Sequence, residues 1–109
     1  DNYFRRGLMW ADMEEWDRAI ADHTKAIAMK PGLATVFSNR GRAYLGKGDN
    51  EKSLSDHDRA IRLDPKDAQN FSNRAAFYRE IGDYERALAD HEKAIALAAN
   101  MEAYGSRAK

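Results

Sequence analysis

Three Asp–His pairs are the residues of this chain best suited to chemistry. They are Asp22-His23, Asp56-His57 and Asp90-His91, and they hold all three of its histidines. A carboxylate beside an imidazole suits two tasks, holding a divalent metal or orienting a general base. The spacing speaks against both. The histidines recur every 34 residues, and equivalent positions on successive helical units sit on the order of 10 Å apart, whereas Zn²⁺ takes its nitrogen ligands at roughly 2 Å. Within each pair the two side chains point about 100° apart on a helix. No Ser/His/Asp set is available, cysteine is absent, and Gly46-Lys47-Gly48-Asp49 is too short for a phosphate-binding loop and follows no strand. The sequence therefore predicts no catalytic residue, no metal and no cofactor. The histidines read as one packing position, used three times.

The elements that carry them keep the same beat. Tyr3, Phe37 and Phe71 are 34 apart, as are Arg6, Arg40 and Arg74; Gly7, Gly41 and Ala75; Trp10, Tyr44 and Tyr78; Ala19, Ser53 and Ala87; and Ala26, Ala60 and Ala94. Ile27, Ile61 and Ile95 follow, then Pro31 and Pro65, with Ala99 at the third place. A period of this size means one supersecondary unit copied in tandem. The middle copy reads Phe37-x2-Arg40-Gly41-x2-Tyr44, Ser53-x3-His57, Pro65. This resembles the tetratricopeptide repeat, W-x2-L-G-x2-Y, A-x3-F, P, over essentially the whole chain. Two departures are systematic: Arg stands at the usual Leu position, and His at the usual Phe position, in all three copies.

Helical periodicity places the parts of each copy. Phe37, Gly41 and Tyr44 form a stripe on a helix from about 34 to 47, and Ser53, His57 and Ala60 the matching stripe on a helix from about 50 to 63, with Leu54 and Ile61 widening it. Gly48 and Asp49 end one helix and start the next, and Pro65 stops the second. The third copy has Gly82-Asp83, but the first has Met13-Glu14-Glu15, which offers no residue that takes positive φ cheaply. The expected fold is all-α: a right-handed α-solenoid of three helical hairpins, at about 1–33, 34–67 and 68–101. A short C-terminal helix or partial fourth copy should follow at 102–109, in which Tyr104 takes the place of Phe71 and Arg107 that of Arg74.

Composition narrows the partners. Lys plus Arg equal Asp plus Glu, 18 each, so no basic field draws nucleic acid or an anionic membrane. No apolar run approaches the roughly 20 residues that span a bilayer. No signal peptide is visible; a cytoplasmic setting is the favoured expectation, although without cysteine the redox compartment is not readable. The start of the chain, already inside a repeat, suggests an excerpt of a longer array.

Two surface patterns remain. Arg40 and Asp56 lie eight residues either side of Gly48, as do Arg6 and Asp22 about Glu14, and Arg74 and Asp90 about Gly82. Each pair falls at one level of its hairpin, which predicts an interhelical ion pair in every copy; the alternative is six solvated charges. Opposite the buried stripe of the first helices lie Thr35, Asn39, Arg42 and Gly46, with Gln69, Asn73, Ala76 and Glu80, and Asp1, Arg5, Leu8 and Asp12, as equivalents. The resemblance implies that these helices line a concave surface holding an extended peptide, with Phe4, Arg5, Leu8, Thr35, Asn39, Arg42, Gln69, Asn73 and Arg79 as contacts. Asn39 and Asn73 suit a peptide backbone, Arg42 and Arg79 suit acidic side chains, and Phe4 and Leu8 offer an apolar patch. Relatives that grip the C-terminal carboxylate of chaperone tails carry Lys and Asn in the first repeat, Asn in the second, and Lys and Arg in the third. Here those places hold Phe4, Leu8, Asn39, Gln69 and Asn73, so that cationic clamp is missing. The expected function is a non-enzymatic interaction module for a protein or extended peptide. The alternative is a structural spacer, or a segment that self-associates end to end.

Overall fold

The computed structural model describes the backbone of residues 2–107 and the side chains of residues 2–100. It contains six helices: α1 (Asn2–Asp12), α2 (Trp16–Met29), α3 (Ala34–Lys47), α4 (Asn50–Leu63), α5 (Ala68–Glu80) and α6 (Tyr84–Arg107). Among the described residues there is no strand. Each turn follows from its residues. Gly48 and Gly82 take φ of 94° and 86°, which costs glycine nothing. Asp49 and Asp83 accept from the main-chain N–H of Lys52 and Arg86 at 3.1 and 3.2 Å, capping α4 and α6. At the equivalent place in the first hairpin Glu14 is forced to φ 59°, where a Cβ is disfavoured by about 1 kcal/mol.

Hairpins α1–α2, α3–α4 and α5–α6 stack through α2 on α3 and α4 on α5. First helices also approach first helices, α1 to α3 and α3 to α5, whereas α2 and α4 do not meet. The stack therefore curves with α1, α3 and α5 on its inner side. Ala19, Ala26, Ala43, Ser53 and Ala60 are fully buried, because small side chains let the axes close up. Asn70 fixes one junction: its Nδ2 donates to the carbonyls of Ala60 and Asp64 at 3.2 and 3.1 Å, and its Oδ1 accepts from Ser38 Oγ at 3.3 Å. Both carbonyls also accept a main-chain N–H, from Asp64 and Asp67, so Asn70 uses their second lone pairs to tie α5 to the end of α4.

The separate C-terminal helix expected from the sequence is not a separate element. Its backbone continues α6 without interruption to Arg107, because the third copy has Ala99 where Pro31 and Pro65 stop the earlier helices. The side chains of Tyr104 and Arg107, and all of Asp1, lie outside the described residues.

All three Arg–Asp pairs form, each with two bonds: Nε to Oδ2 at 2.7 Å and Nη2 to Oδ1 at 2.8 Å. The carboxylates are buried, Asp22 and Asp56 at 4% exposure and Asp90 at 7%. The arginines differ: the side chain of Arg40 is 18% exposed, that of Arg74 23% and that of Arg6 56%. Two of the guanidinium groups also sit near two rings of their own helix, Phe37 and Tyr44 for Arg40 and Phe71 and Tyr78 for Arg74, and that of Arg6 sits near one, Tyr3. This is why Arg is tolerated at a position that is apolar in the repeat pattern it resembles.

Two stability outcomes follow. Arg40→Ala strands a buried carboxylate and should lower the unfolding free energy by about 2–3 kcal/mol, with a smaller loss for Arg6→Ala, because the Arg6 side chain is 56% exposed and its pair is better screened by water. Glu14→Gly should raise stability by about 0.5–1 kcal/mol by relieving the turn. Urea denaturation midpoints at unchanged slope measure both.

Candidate functional site

On the inner side of the curve, the three first helices enclose a groove of about 700 Å³. Leu8 and Asp12 come from α1, Asn39, Arg42, Leu45 and Gly46 from α3, and Asn73, Ala76, Phe77, Arg79 and Glu80 from α5. Trp16, His23, Asn50 and His57 of the second helices reach through to its floor. The wall positions run from the middle of their helices to the C-terminal ends. Of the residues expected to meet a partner, Leu8, Asn39, Arg42, Asn73 and Arg79 are brought together here. Phe4, Arg5, Thr35 and Gln69 do not line the groove. Phe4 is half-buried, its ring 5.9 Å from that of His23. Arg5 and Thr35 are exposed towards the helix starts. Gln69 acts on a neighbour instead, its Nε2 donating to Asn73 Oδ1 at 3.0 Å. That bond engages one of the two acceptor sites of the Asn73 oxygen.

Sequence reasoning missed the floor. Trp16 lies directly against Gly46, where an added Cβ would fall inside the indole. The pairing of a lone Trp with a lone Gly, both off the 34-residue beat, was the available signal. His23 and His57 were read as packing positions, and they are that, with 0% and 1% exposure. A Cβ on Gly7 would come within 2.7 Å of the His23 ring, and one on Gly41 within 3.0 Å of the His57 ring. Glycine at those places is thus set by the imidazoles. His57 also tilts against Phe77 at 6.0 Å.

Burial holds both imidazoles in the neutral form. Desolvation drives the pKa of His23 down to about 4, opposed by Asp22 and assisted by Arg40. Desolvation does the same to His57, again to about 4, opposed by Asp58 and assisted by Arg42 and Arg74. Both ring nitrogens of His23 and Nδ1 of His57 have no hydrogen-bond partner among the described residues. Asp22 is lowered too, but by its partner and against its burial: hydrogen bonds from Arg6 hold its carboxyl below the usual range. Among the described residues, no three His, Asp or Glu side chains gather as a metal ion would need.

Comparisons with known proteins agree with this architecture. Sequence models of the tetratricopeptide repeat match residues 34–67 and 58–89. Nothing among the curated proteins matches. The chain is similar in structure to the Sgt2 TPR domain from Aspergillus fumigatus, with a TM-score of 0.83 at 29% identity over 92% of this chain and 66% of that one. It is similar to the second TPR of Spaghetti (RPAP3), solved bound to the HSP90 peptide SRMEEVD, with a TM-score of 0.77 at 28% identity over 88% and 89% of the two chains. MamA from Desulfovibrio magneticus RS-1 shares the fold, with a TM-score of 0.81 at 20% identity over 90% of this chain and 55% of that one. The chain thus spans 55% of the MamA chain and 66% of the Sgt2 chain.

The histidines generate a pH dependence whose sign is fixed. Each ring is neutral in the folded state down to about pH 4, while in the unfolded chain it takes up a proton near pH 6.5. Acid therefore favours unfolding. Stability present above pH 6.5 should fall by up to about 1.4 kcal/mol per pH unit for each ring between 6.5 and 4. Thermal melts across that window should show the slope, and His57→Leu should reduce it by about half.

Proposed function

The chain belongs to the tetratricopeptide repeat family, and on that premise we propose that its concave groove holds an extended peptide segment of a partner protein. The observation that carries this reading is the pair Asn39 and Asn73. They are one repeat apart, on adjacent first helices, and both line the same groove. An extended backbone offers polar groups at regular intervals, and amides repeated along a groove match that spacing better than they match a compact ligand. Asn73 addresses peptide carbonyls through its amide N–H groups, while Gln69 engages one acceptor site of its oxygen. Asn39 stays able to donate and accept.

Side-chain selection falls to the groove's flanks. Arg42 and Arg79 are exposed on α3 and α5 and suit acidic residues, whereas Asp12 and Glu80 turn away acidic residues at their own positions. Leu8, Trp16 and Leu45, each half-buried, give the groove apolar surface for one buried anchor. The second TPR of Spaghetti, a 28% identical neighbour, was solved with a bound peptide, which supports peptide binding as a task of this architecture. The favoured ligand here differs in chemistry from a clamped terminal carboxylate. Phe4, Leu8 and Gln69 stand where the clamp's first-repeat Lys and Asn and third-repeat Lys would be, so selection rests on internal acidic and apolar residues.

A displayed library of random peptides, followed by fluorescence anisotropy on the selected sequences, tests this. Selected peptides should combine an apolar anchor with one or more acidic residues. Asn39→Ala/Asn73→Ala should weaken them by about 1–3 kcal/mol per amide, and Arg79→Glu should weaken acidic peptides while leaving neutral ones unchanged. Equal affinity for wild type and the double variant would defeat the groove reading.

A further inference from the structure

Most cations on α3 and α5 are engaged within the chain, and the two that are not stand in the groove. Arg40 and Arg74 hold Asp56 and Asp90 with two nitrogens each. With the third nitrogen they reach the preceding hairpin, at Thr24 Oγ1 (3.2 Å) and Asp58 Oδ1 (2.9 Å). Lys47 pairs with Asp17 at 2.7 Å. Arg42 and Arg79 are the remaining cations of these helices. Both are exposed, both line the groove, and neither makes an ion pair among the described residues.

Register brings the two together. Arg42 and Ala76 are equivalent positions, and Arg79 lies three residues beyond Ala76 on α5. Adjacent helix axes are roughly 8–10 Å apart, and three residues rise about 4.5 Å. Two arginine side chains close such a separation when an anion stands between them. The small side chain of Ala76 leaves the space opposite Arg42 open. The charge of Arg42 is already felt at the groove floor: after desolvation, and against Asp58, it acts with Arg74 to disfavour a proton on His57. Asn39 and Asn73 stand one turn earlier on the same two walls and add amide donors beside the guanidinium groups.

We propose that Arg42 and Arg79 together receive a phosphorylated side chain, a phosphoserine or phosphothreonine carried by the partner segment. This rests on the groove reading above and specifies the acidic residue that the groove selects. A carboxylate has two oxygens and one charge, which a single guanidinium fork satisfies. A phosphoryl group has three acceptor oxygens and close to two charges at neutral pH, which suits two guanidinium groups approaching from different helices. The other charges of the groove favour the same ligand. Asp12 and Glu80 line it as well, so a run of carboxylates along the segment would be repelled at those places. A single dianion concentrates its charge where the cations are.

Three degenerate peptide libraries, alike except for a central phosphoserine, glutamate or serine, test this on the immobilised 109-residue chain. Fluorescence anisotropy then compares retained sequences in all three forms. The phosphoserine form should bind about tenfold more tightly than the glutamate form, or better. Arg42→Gln and Arg79→Gln should each remove most of that advantage. Arg62→Gln, exposed on α4 and outside the groove, should keep it, which separates the guanidinium pair from net charge. Lowering the pH from about 7.5 to about 5.5 protonates the phosphoryl group, whose second pKa is about 6, so its affinity should fall. Glutamate, with an ordinary pKa near 4.3, should hold its affinity across that window. Circular dichroism verifies that each variant is folded at both pH values. Equal affinity for the phosphoserine and glutamate forms overturns the proposal and leaves the groove reading standing. So does an advantage that survives the loss of either arginine, which would put the phosphoryl group elsewhere. Failure of every form to bind overturns both.

Discussion

The bidentate Arg–Asp pair is the constraint on which the rest of this array depends. A buried carboxylate must be neutralised and hydrogen-bonded or the hairpin does not close, and Asp22, Asp56 and Asp90 each meet that demand with a guanidinium on the facing helix. Such pairs contribute little net stability compared with an apolar pair of the same volume. What they contribute is register. The planar fork accepts one orientation of the carboxylate, so helix rotation within each hairpin is set by the two bonds, and the third nitrogen of Arg40 and Arg74 then sets the offset between hairpins. An apolar residue at the same place would allow sliding that the fork forbids.

The imidazoles show the same economy in apolar form. Each buried ring needs roughly one aromatic neighbour to fill its surroundings, and the chain supplies it from alternate sides. His23 has Phe4 beside it from its own hairpin, and the next-hairpin position is Ala43, wholly buried. For His57 the sizes are exchanged: its own hairpin has Ser38 at the place of Phe4, and the next supplies Phe77. Large and small trade places so that volume is conserved, which is the condition a close-packed interior imposes. The third ring, His91, lines a cleft with Ser72, and it is exposed.

Most of the fold was legible because it rests on short-range rules. Helix limits at 34–47 and 50–63 could be read from Gly48, Asp49 and Pro65, residues whose backbone preferences act locally. The Arg–Asp pairs were legible as well, since equal distance from a turn fixes the level on two antiparallel helices. The misses have a common cause. Whether Phe4 faces the groove or a buried ring, and whether Trp16 covers Gly46, depends on neighbours brought in by stacking, which no single-helix projection contains. The run of α6 past Ala99 was a different kind of miss. The residues expected to start a new helix carry no breaker before them, so the existing helix continued at lower cost than a second nucleation.

In a one-dimensional array each hairpin is stabilised by its own fold and by the junctions on either side. The hairpins differ in what they add to that sum. The α5–α6 hairpin lengthens its second helix to 24 residues, adding main-chain hydrogen bonds that need no neighbour. The α1–α2 hairpin carries a strained turn at Glu14, whereas the other two turn on glycine. Local opening should therefore cost least in the α1–α2 hairpin. Because α1 supplies Leu8 and Asp12 to the groove, a ligand spanning α1 and α3 would stabilise that hairpin by mass action, and groove occupancy is coupled to the stability of a single helix.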